Sequence, residues 1–195
     1  MTYDGPMSAR RSIAVVVGSL RQAAWSRKLA LALVDLAPSG LDLRIVEIGA
    51  LPLYDEDAEA EVPPAWASFR QAIRAADGVL FVTPEYNRSV PGVLKNAIDV
   101  GSRPYGQSAW AGKPVGIASC SPGALGGFGA NHHLRQSFVF LGNPVLQQPE
   151  VYVGHVNTVF DADGKLTNDK TRELLQKFLD AYAKWVELHL GGDRS

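Results

Sequence analysis

Three runs in this chain, Ile13-Ala14-Val15-Val16-Val17, Val79-Leu80-Phe81-Val82 and Pro114-Val115-Gly116-Ile117-Ala118, contain no polar side chain. A strand with one wet face alternates apolar and polar residues, so unbroken runs of this kind demand cover on both sides. The run at 13–17 is also far too short to cross a membrane. A chain with such runs must build a sheet and bury both of its faces.

The covering elements can be read between the runs. From about Ser26, Leu29, Leu33 and Leu36 recur at helical spacing until Pro38-Ser39-Gly40 stops them. Leu41 to Ile48 alternates and predicts a second strand. Pro63-Pro64 opens a helix through Trp66, Phe69, Ile73 and Ala76, which Asp77-Gly78 ends. Between Ser89 and Val100, Val90, Val93, Leu94, Ala97 and Ile98 share one helical face. Leu134, Ser137, Phe138 and Leu141 mark a fourth helix that Gly142 can cap. Val151 to Val159 predicts a last strand, and Leu174, Leu175, Phe178, Leu179, Tyr182, Trp185 and Val186 the apolar face of a terminal helix. Strand and helix thus alternate about five times. That pattern predicts an α/β fold: a doubly wound, flavodoxin-like five-stranded parallel sheet with helices on both faces.

The totals agree with one such domain over 195 residues, with 1–10 expected to be a flexible lead. Hydrophobic residues make up 46%, enough for a full core, and the formal net charge of -1 supplies no basic footprint for nucleic acid. The single cysteine, Cys120, excludes an internal disulfide framework and suits a reducing compartment. No apolar segment near the N-terminus has the length of a signal peptide. These features predict a cytoplasmic protein that partners neither nucleic acid nor membrane.

In a sheet of this kind a ligand sits beyond the carboxyl ends of the strands, at the point where strand order reverses. Three loops leave those ends: Gly18 to Trp25, Thr83 to Ser89, and Ser119 to Gly127. The first combines a turning glycine, the hydroxyls of Ser19 and Ser26, the guanidinium of Arg21 and a helix N-terminus, which together make a small anion cradle. It fits equally an ordinary strand-to-helix turn with its serines as caps. The second, Thr83-Pro84-Glu85-Tyr86-Asn87-Arg88-Ser89, offers backbone N–H groups, an aromatic ring and an amide to a flat heteroaromatic ligand. Its plainer alternative is a helix start set by Ser89 and Pro91. The third is built of small residues that let a ring lie against the backbone. Cys120 within it has no basic neighbour in sequence and is read as a packing residue.

Several chemistries lack their motifs. G-x-x-x-x-G-K-[ST] is absent, and Gly127-Phe128-Gly129 has His132 where G-x-G-x-x-G needs its third glycine. There is no G-x-S-x-G elbow. The histidines at 132, 133, 155 and 189 have no i, i+4 pairing, so no metal site is predicted. Ligand-holding groups without an acid, base or nucleophile suit a cofactor that performs the chemistry itself.

Gly18-Ser19-Leu20-Arg21, the block Thr83-Pro84-Glu85-Tyr86-Asn87 with Ser89-Val90-Pro91-Gly92-Val93-Leu94-Lys95-Asn96-Ala97-Ile98-Asp99, and Gly112-Lys113-Pro114 strongly resemble the NADPH-dependent FMN reductase family. The nearest branch is that of the bacterial quinone and chromate reductases. The resemblance implies non-covalent FMN, with NADPH or NADH as co-substrate. It implies that Ser19, Arg21 and Ser26 hold the phosphate, and that Pro84, Glu85, Tyr86 and Asn87 line the isoalloxazine. Cys120 and Ser121, with Gly123 in the same loop, would touch the far side of the ring. Hydride would pass from NAD(P)H through FMN to quinones, azo compounds, chromate or free flavin by a ping-pong mechanism. A flavodoxin-type electron carrier is the alternative. The resemblance also implies a homodimer or homotetramer, and Trp110, Phe128 and Phe140 are aromatics for either an interface or the core. Two departures stand out: Ala24 lies where many members carry Ser or Thr, and Cys120 where relatives tend to carry Ser.

Overall fold

The structure, a computed structural model, describes residues 10–190. Apart from Arg10, the segment expected to be flexible lies outside the described residues.

Five strands form one parallel sheet: β1 (Arg11–Val17), β2 (Leu41–Ile45), β3 (Gly78–Thr83), β4 (Val115–Cys120) and β5 (Val151–Val153). Their spatial order is β2-β1-β3-β4-β5. The chain therefore reverses its winding between β1 and β3, whose register pairs Val17 with Val82. Five helices cover the sheet: α1 (Trp25–Asp35), α2 (Pro64–Ala75), α3 (Gly92–Gly101), α4 (Phe128–Phe140) and α5 (Asp169–Leu190). A 3₁₀ turn at Glu56–Glu61 precedes α2, and a second spans Val156–Thr158.

The apolar runs are apolar because successive side chains enter two different cores. Ile13, Val15 and Val17 pack with Leu80 and Val82 against Leu29 and Leu33 of α1 and Leu175, Phe178 and Tyr182 of α5. Ala14 and Val16 pack with Val79, Phe81 and Ile117 against α2, α3 and α4, through Trp66, Phe69, Leu94 and Phe138. The Tyr182 hydroxyl donates to the carbonyls of Val79 and Pro114 at 2.9 and 3.1 Å, which ties α5 across two strands. Burial drives that phenol's pKa well above its ordinary value.

Trp110 belongs to this second core. It is fully buried, donates from Nε1 to the Ile98 carbonyl at 3.0 Å, and meets Phe138 edge to face. It is therefore not an interface residue, whereas Phe128 and Phe140 are exposed. Other boundaries also differ from the expectation. The last strand ends at Val153 rather than Val159, because this edge strand pairs on one side only, with Ala118 to Cys120, before Gly154 and the left-handed His155 turn the chain. The third helix begins at Gly92, one residue after Pro91; Ser89 does not cap it and instead places its hydroxyl 2.7 Å from His133 Nδ1. α4 begins at Phe128, a turn and a half before Leu134.

Candidate active site

The chain leaves β1 through Gly18, where a side chain would crowd the neighbouring loop. A Cβ at that position would stand 2.9 Å from Thr83 Oγ1 and 3.1 Å from Pro84 Cδ. The first two loops thus touch at the point where the winding reverses. Beyond that contact lies a cavity of about 180 Å³ lined by Ser19, Arg21, Ala24, Trp25, Ser26, Pro84, Glu85, Tyr86, Cys120, Ser121 and Pro122. All three loops at the carboxyl edge contribute to it.

One end of the cavity is built for an anion. α1 starts at Trp25 with no side-chain cap and no acidic residue in its first turn, so its positive end and first N–H groups point at the loop uncompensated. Ser26, almost fully buried, has a hydroxyl oxygen without any hydrogen-bond partner in the protein. A buried hydroxyl in that state costs stability, and a ligand acceptor would satisfy it. The Arg21 guanidinium reaches only the Ala23 carbonyl, at 3.2 Å, and its amide donates to Ser19 Oγ at 3.3 Å. Hydroxyl, guanidinium and helix end are the groups that hold a phosphate monoester.

The other end suits a flat ring. Pro84 and half-exposed Tyr86 form one wall, and Cys120, Ser121 and Pro122 the other. The thiol of Cys120 is buried, and that burial pushes its pKa up to about 12, so it is a neutral, inert wall atom.

Second contacts hold the walls in place. Glu85 lines the cavity but spends its carboxylate on structure: one oxygen accepts the Ala130 N–H at 3.0 Å at the start of α4, and the other lies 3.5 Å from Arg88 Nη1. The approach is close enough that a Cβ on Gly129 would sit 2.9 Å from both Glu85 Oε2 and the Arg88 carbonyl oxygen. On the far wall, Ser119 Oγ donates to the Gly126 carbonyl at 2.8 Å, and the Ser121 amide to the Val153 carbonyl at 3.1 Å.

Eight of the ten residues singled out from sequence meet at this cavity. Asn87 and Gly123 do not. Asn87 and Arg88 are the left-handed pair, φ 51° and 64°, of a two-residue turn closed by reciprocal hydrogen bonds between Tyr86 and Ser89. Asn87 sits at the tip of that turn, next to Tyr86 of the cavity lining. The Gly123 carbonyl accepts the His155 amide at 3.2 Å, so that part of the loop is pinned beside β5. Trp25 and Pro122 line the cavity without having been singled out from sequence, and Ala24, the departure noted above, lines it as well. Trp25 continues the row of Leu29 and Leu33 at i, i+4 spacing and packs partly on their core, so its spacing alone reads as core rather than as cavity lining. Among the described residues no helix is long and apolar enough to cross a membrane, and no group of three His, Cys, Asp or Glu side chains is placed to hold a metal ion.

A family model described as NADPH-dependent FMN reductase matches residues 11–158. A quinone reductase of Pseudomonas putida is 65% identical over 184 residues, covering 94% of this chain and 98% of the relative. A 2-hydroxy-1,4-benzoquinone reductase of Burkholderia is 50% identical over 174 residues, covering 89% of this chain and 95% of the relative. Among solved structures, a flavoenzyme NAD(P)H:(acceptor) oxidoreductase of Paracoccus denitrificans superposes with a TM-score of 0.87 at 40% identity, covering 92% of this chain and 98% of that one.

Proposed function

The chain belongs to the NADPH-dependent FMN reductase family, and from that premise we propose that it is a quinone reductase whose FMN lies in the cavity at the carboxyl edge of the sheet. Family membership makes it an oxidoreductase using FMN, with NAD(P)H as co-substrate. The observation that carries the assignment of the site is the buried, unpartnered hydroxyl of Ser26 at an uncapped helix start, beside Arg21.

On this reading Ser26 and Ser19 donate hydroxyl hydrogen bonds to the phosphate, and Arg21 with the α1 N-terminus balances its charge. Pro84, Tyr86, Cys120 and Pro122 would flank the ring and fix its plane, leaving its side at the cavity mouth to the nucleotide and the acceptor. The Glu85 clasp on α4 holds the Pro84 wall at its distance. Gly123 supports its wall through the backbone, its carbonyl accepting the His155 amide. Bound FMN supplies the two-electron carrier between NAD(P)H and a quinone. The chain's part is positional, and no side chain at the cavity is needed as a proton donor or nucleophile.

The cavity opens past half-exposed Tyr86, so the nucleotide and the acceptor use one mouth in turn. Ping-pong kinetics follow from that, and a shallow mouth admits azo compounds, chromate and free flavin as well as quinones. Exposed Phe128, Val139 and Phe140 on α4 form the face a second copy would cover in a homo-oligomer.

Purified protein reconstituted with FMN tests the proposal. Its visible flavin bands should bleach on anaerobic addition of NAD(P)H and return on addition of benzoquinone. Double-reciprocal plots should be parallel. A protein that takes up no FMN, or whose bound FMN is not reduced by either nucleotide, overturns the reading.

A further inference from the structure

Two more cavities open on the Ser19-Leu20-Arg21 segment that borders the flavin cavity. The first, about 370 Å³, is apolar: Leu20, Tyr86, Pro91 and Val93 contribute to its lining. The second, about 260 Å³, is polar and is lined by Gln22, Arg27, Glu47 and Gly49 besides that segment. Leu20 divides them, packed so closely on the chain after β2 that a Cβ at Gly49 would lie 3.2 Å from Leu20 Cδ2. A nicotinamide dinucleotide has two planar rings, nicotinamide and adenine, joined through two riboses and two phosphates. Its nicotinamide suits the first cavity, which borders the flavin cavity, and its adenosine ribose then falls to the second.

The polar cavity has a defined charge pattern. Arg27, on the first turn of α1, donates to both oxygens of Glu47, at 2.7 and 3.2 Å. That fork holds the carboxylate below its usual pKa, with the hydrogen bond from Arg27 as the larger cause. The Glu47 side chain is still 67% exposed, so its remaining lone pairs face the cavity mouth and solvent. Of the described residues lining this cavity, only Arg21 and Arg27 are cationic. Arg21 is committed to the FMN phosphate on the reading above, and Arg27 is neutralised by Glu47.

The geometry points to Glu47, oriented by Arg27, as the residue that selects NADH over NADPH. A fixed carboxylate accepts hydrogen bonds from the 2′- and 3′-hydroxyls of an adenosine ribose. A 2′-phosphate offers acceptors only, carries like charge, and meets no uncommitted cation at this site. This inference rests on the proposed NAD(P)H-dependent function and adds the form of the nucleotide.

The test compares kcat/KM for NADH and NADPH, at fixed quinone, in FMN-loaded wild type, Glu47→Gln, and the double variant Arg27→Gln/Glu47→Gln. Dissociation constants for the redox-inert tetrahydro analogues of both nucleotides provide a readout independent of turnover. Wild type should favour NADH by about ten-fold or more, the scale of one charge-assisted hydrogen bond. Glu47→Gln should weaken NADH and, by releasing the Arg27 guanidinium, strengthen NADPH, moving the ratio by about ten-fold towards NADPH. The double variant should lose that NADPH gain. Glu47 is exposed and makes no core contact, so these variants should keep the wild-type circular dichroism. A wild type that prefers NADPH, or a ratio unchanged by Glu47→Gln, overturns the selection by Glu47 while leaving the reductase reading intact. Failure to oxidise either nucleotide overturns both.

Discussion

At Ser26 the demands of folding and of binding pull in opposite directions. Its hydroxyl is buried and unpartnered, so the empty protein bears the cost of desolvating it. Ser26→Ala should therefore raise the melting temperature of the FMN-free protein, by about 1 kcal/mol of stability, while weakening FMN several-fold. Arg21→Ala should leave FMN-free stability unchanged, since the guanidinium makes only one exposed contact, with the Ala23 carbonyl. It should cost FMN about ten- to hundred-fold in affinity through lost charge-assisted bonds. Flavin fluorescence titration with thermal unfolding of the apoprotein separates the two effects; a variant that changes neither affinity removes the phosphate cradle from this place. Cys120 behaves differently. Its folded pKa, pushed up to about 12 from 9.0, keeps the thiol protonated where the unfolded chain would ionise. The unfolded state then binds fewer protons, so this residue's contribution to stability is intact below about pH 9 and falls as pH rises from there towards 12. Cys120→Ser should remove that part of the alkaline loss and leave turnover largely intact; abolished turnover would give the thiol a chemical role. The roles proposed for Ser26 and Arg21 rest on local spacing that the sequence shows, since both lie at one helix start. The left-handed turn at Asn87 and Arg88, by contrast, leaves no trace in composition, because neither residue is a glycine.

Among the elements, those with a regular apolar period were predictable and those shaped by distant contacts were not. β1 and β3 are continuous apolar runs, and α5 keeps Leu175, Phe178, Leu179, Tyr182 and Val186 on one buried stripe. α4 buries a narrower stripe, Ala130, Asn131, Leu134 and Phe138, that includes a polar residue, while Phe128, Val139 and Phe140 of the same helix are exposed. Its first turn is organised by the β3–α3 loop, through Glu85 to the Ala130 amide and Ser89 to His133. Those contacts join residues 45 and 44 positions apart, beyond the reach of any local pattern. Gly129 is the hinge of this clasp. In Gly129→Ala the new Cβ would lie 2.9 Å from the Glu85 carboxylate and the Arg88 carbonyl, so one element must retreat. Overpacking of that kind costs about 1–3 kcal/mol. For a domain of this size that corresponds to a melting temperature lower by roughly 2–12 °C. FMN affinity should fall with it, because Pro84 and Glu85 share the displaced loop. Loss of stability with unaltered FMN binding would show that the clasp holds α4 alone and not the cavity wall.

For the molecule as a whole, the two-sided sheet was legible because its physics is local: runs without a polar residue require two covers, and two cores of alternate side chains are what β1 and β3 feed. The meeting of three loops at one edge follows from strand order, but the inner surface they form does not, since it depends on which backbone groups each loop spends on its neighbours. That arrangement has a thermodynamic consequence. The edge carries an uncapped helix end and an unpartnered hydroxyl, so the folded chain alone is less stable than the folded chain with its cavity filled. A ligand that binds only the native state stabilises it by about 2.7 kcal/mol at a hundred times its Kd. With roughly 2–4 °C per kcal/mol at this chain length, FMN at that concentration should raise the melting temperature by about 5–11 °C. In Arg21→Ala, at the same FMN concentration, a ten-fold loss of affinity should halve the shift, and a hundred-fold loss should reduce it to about 1–2 °C. Differential scanning calorimetry over a series of FMN concentrations measures both. A wild-type transition that does not move with FMN would mean that the edge is complete without a ligand, and the placement of the flavin there would fall. A shift equal in wild type and Arg21→Ala would keep the flavin and move its phosphate elsewhere.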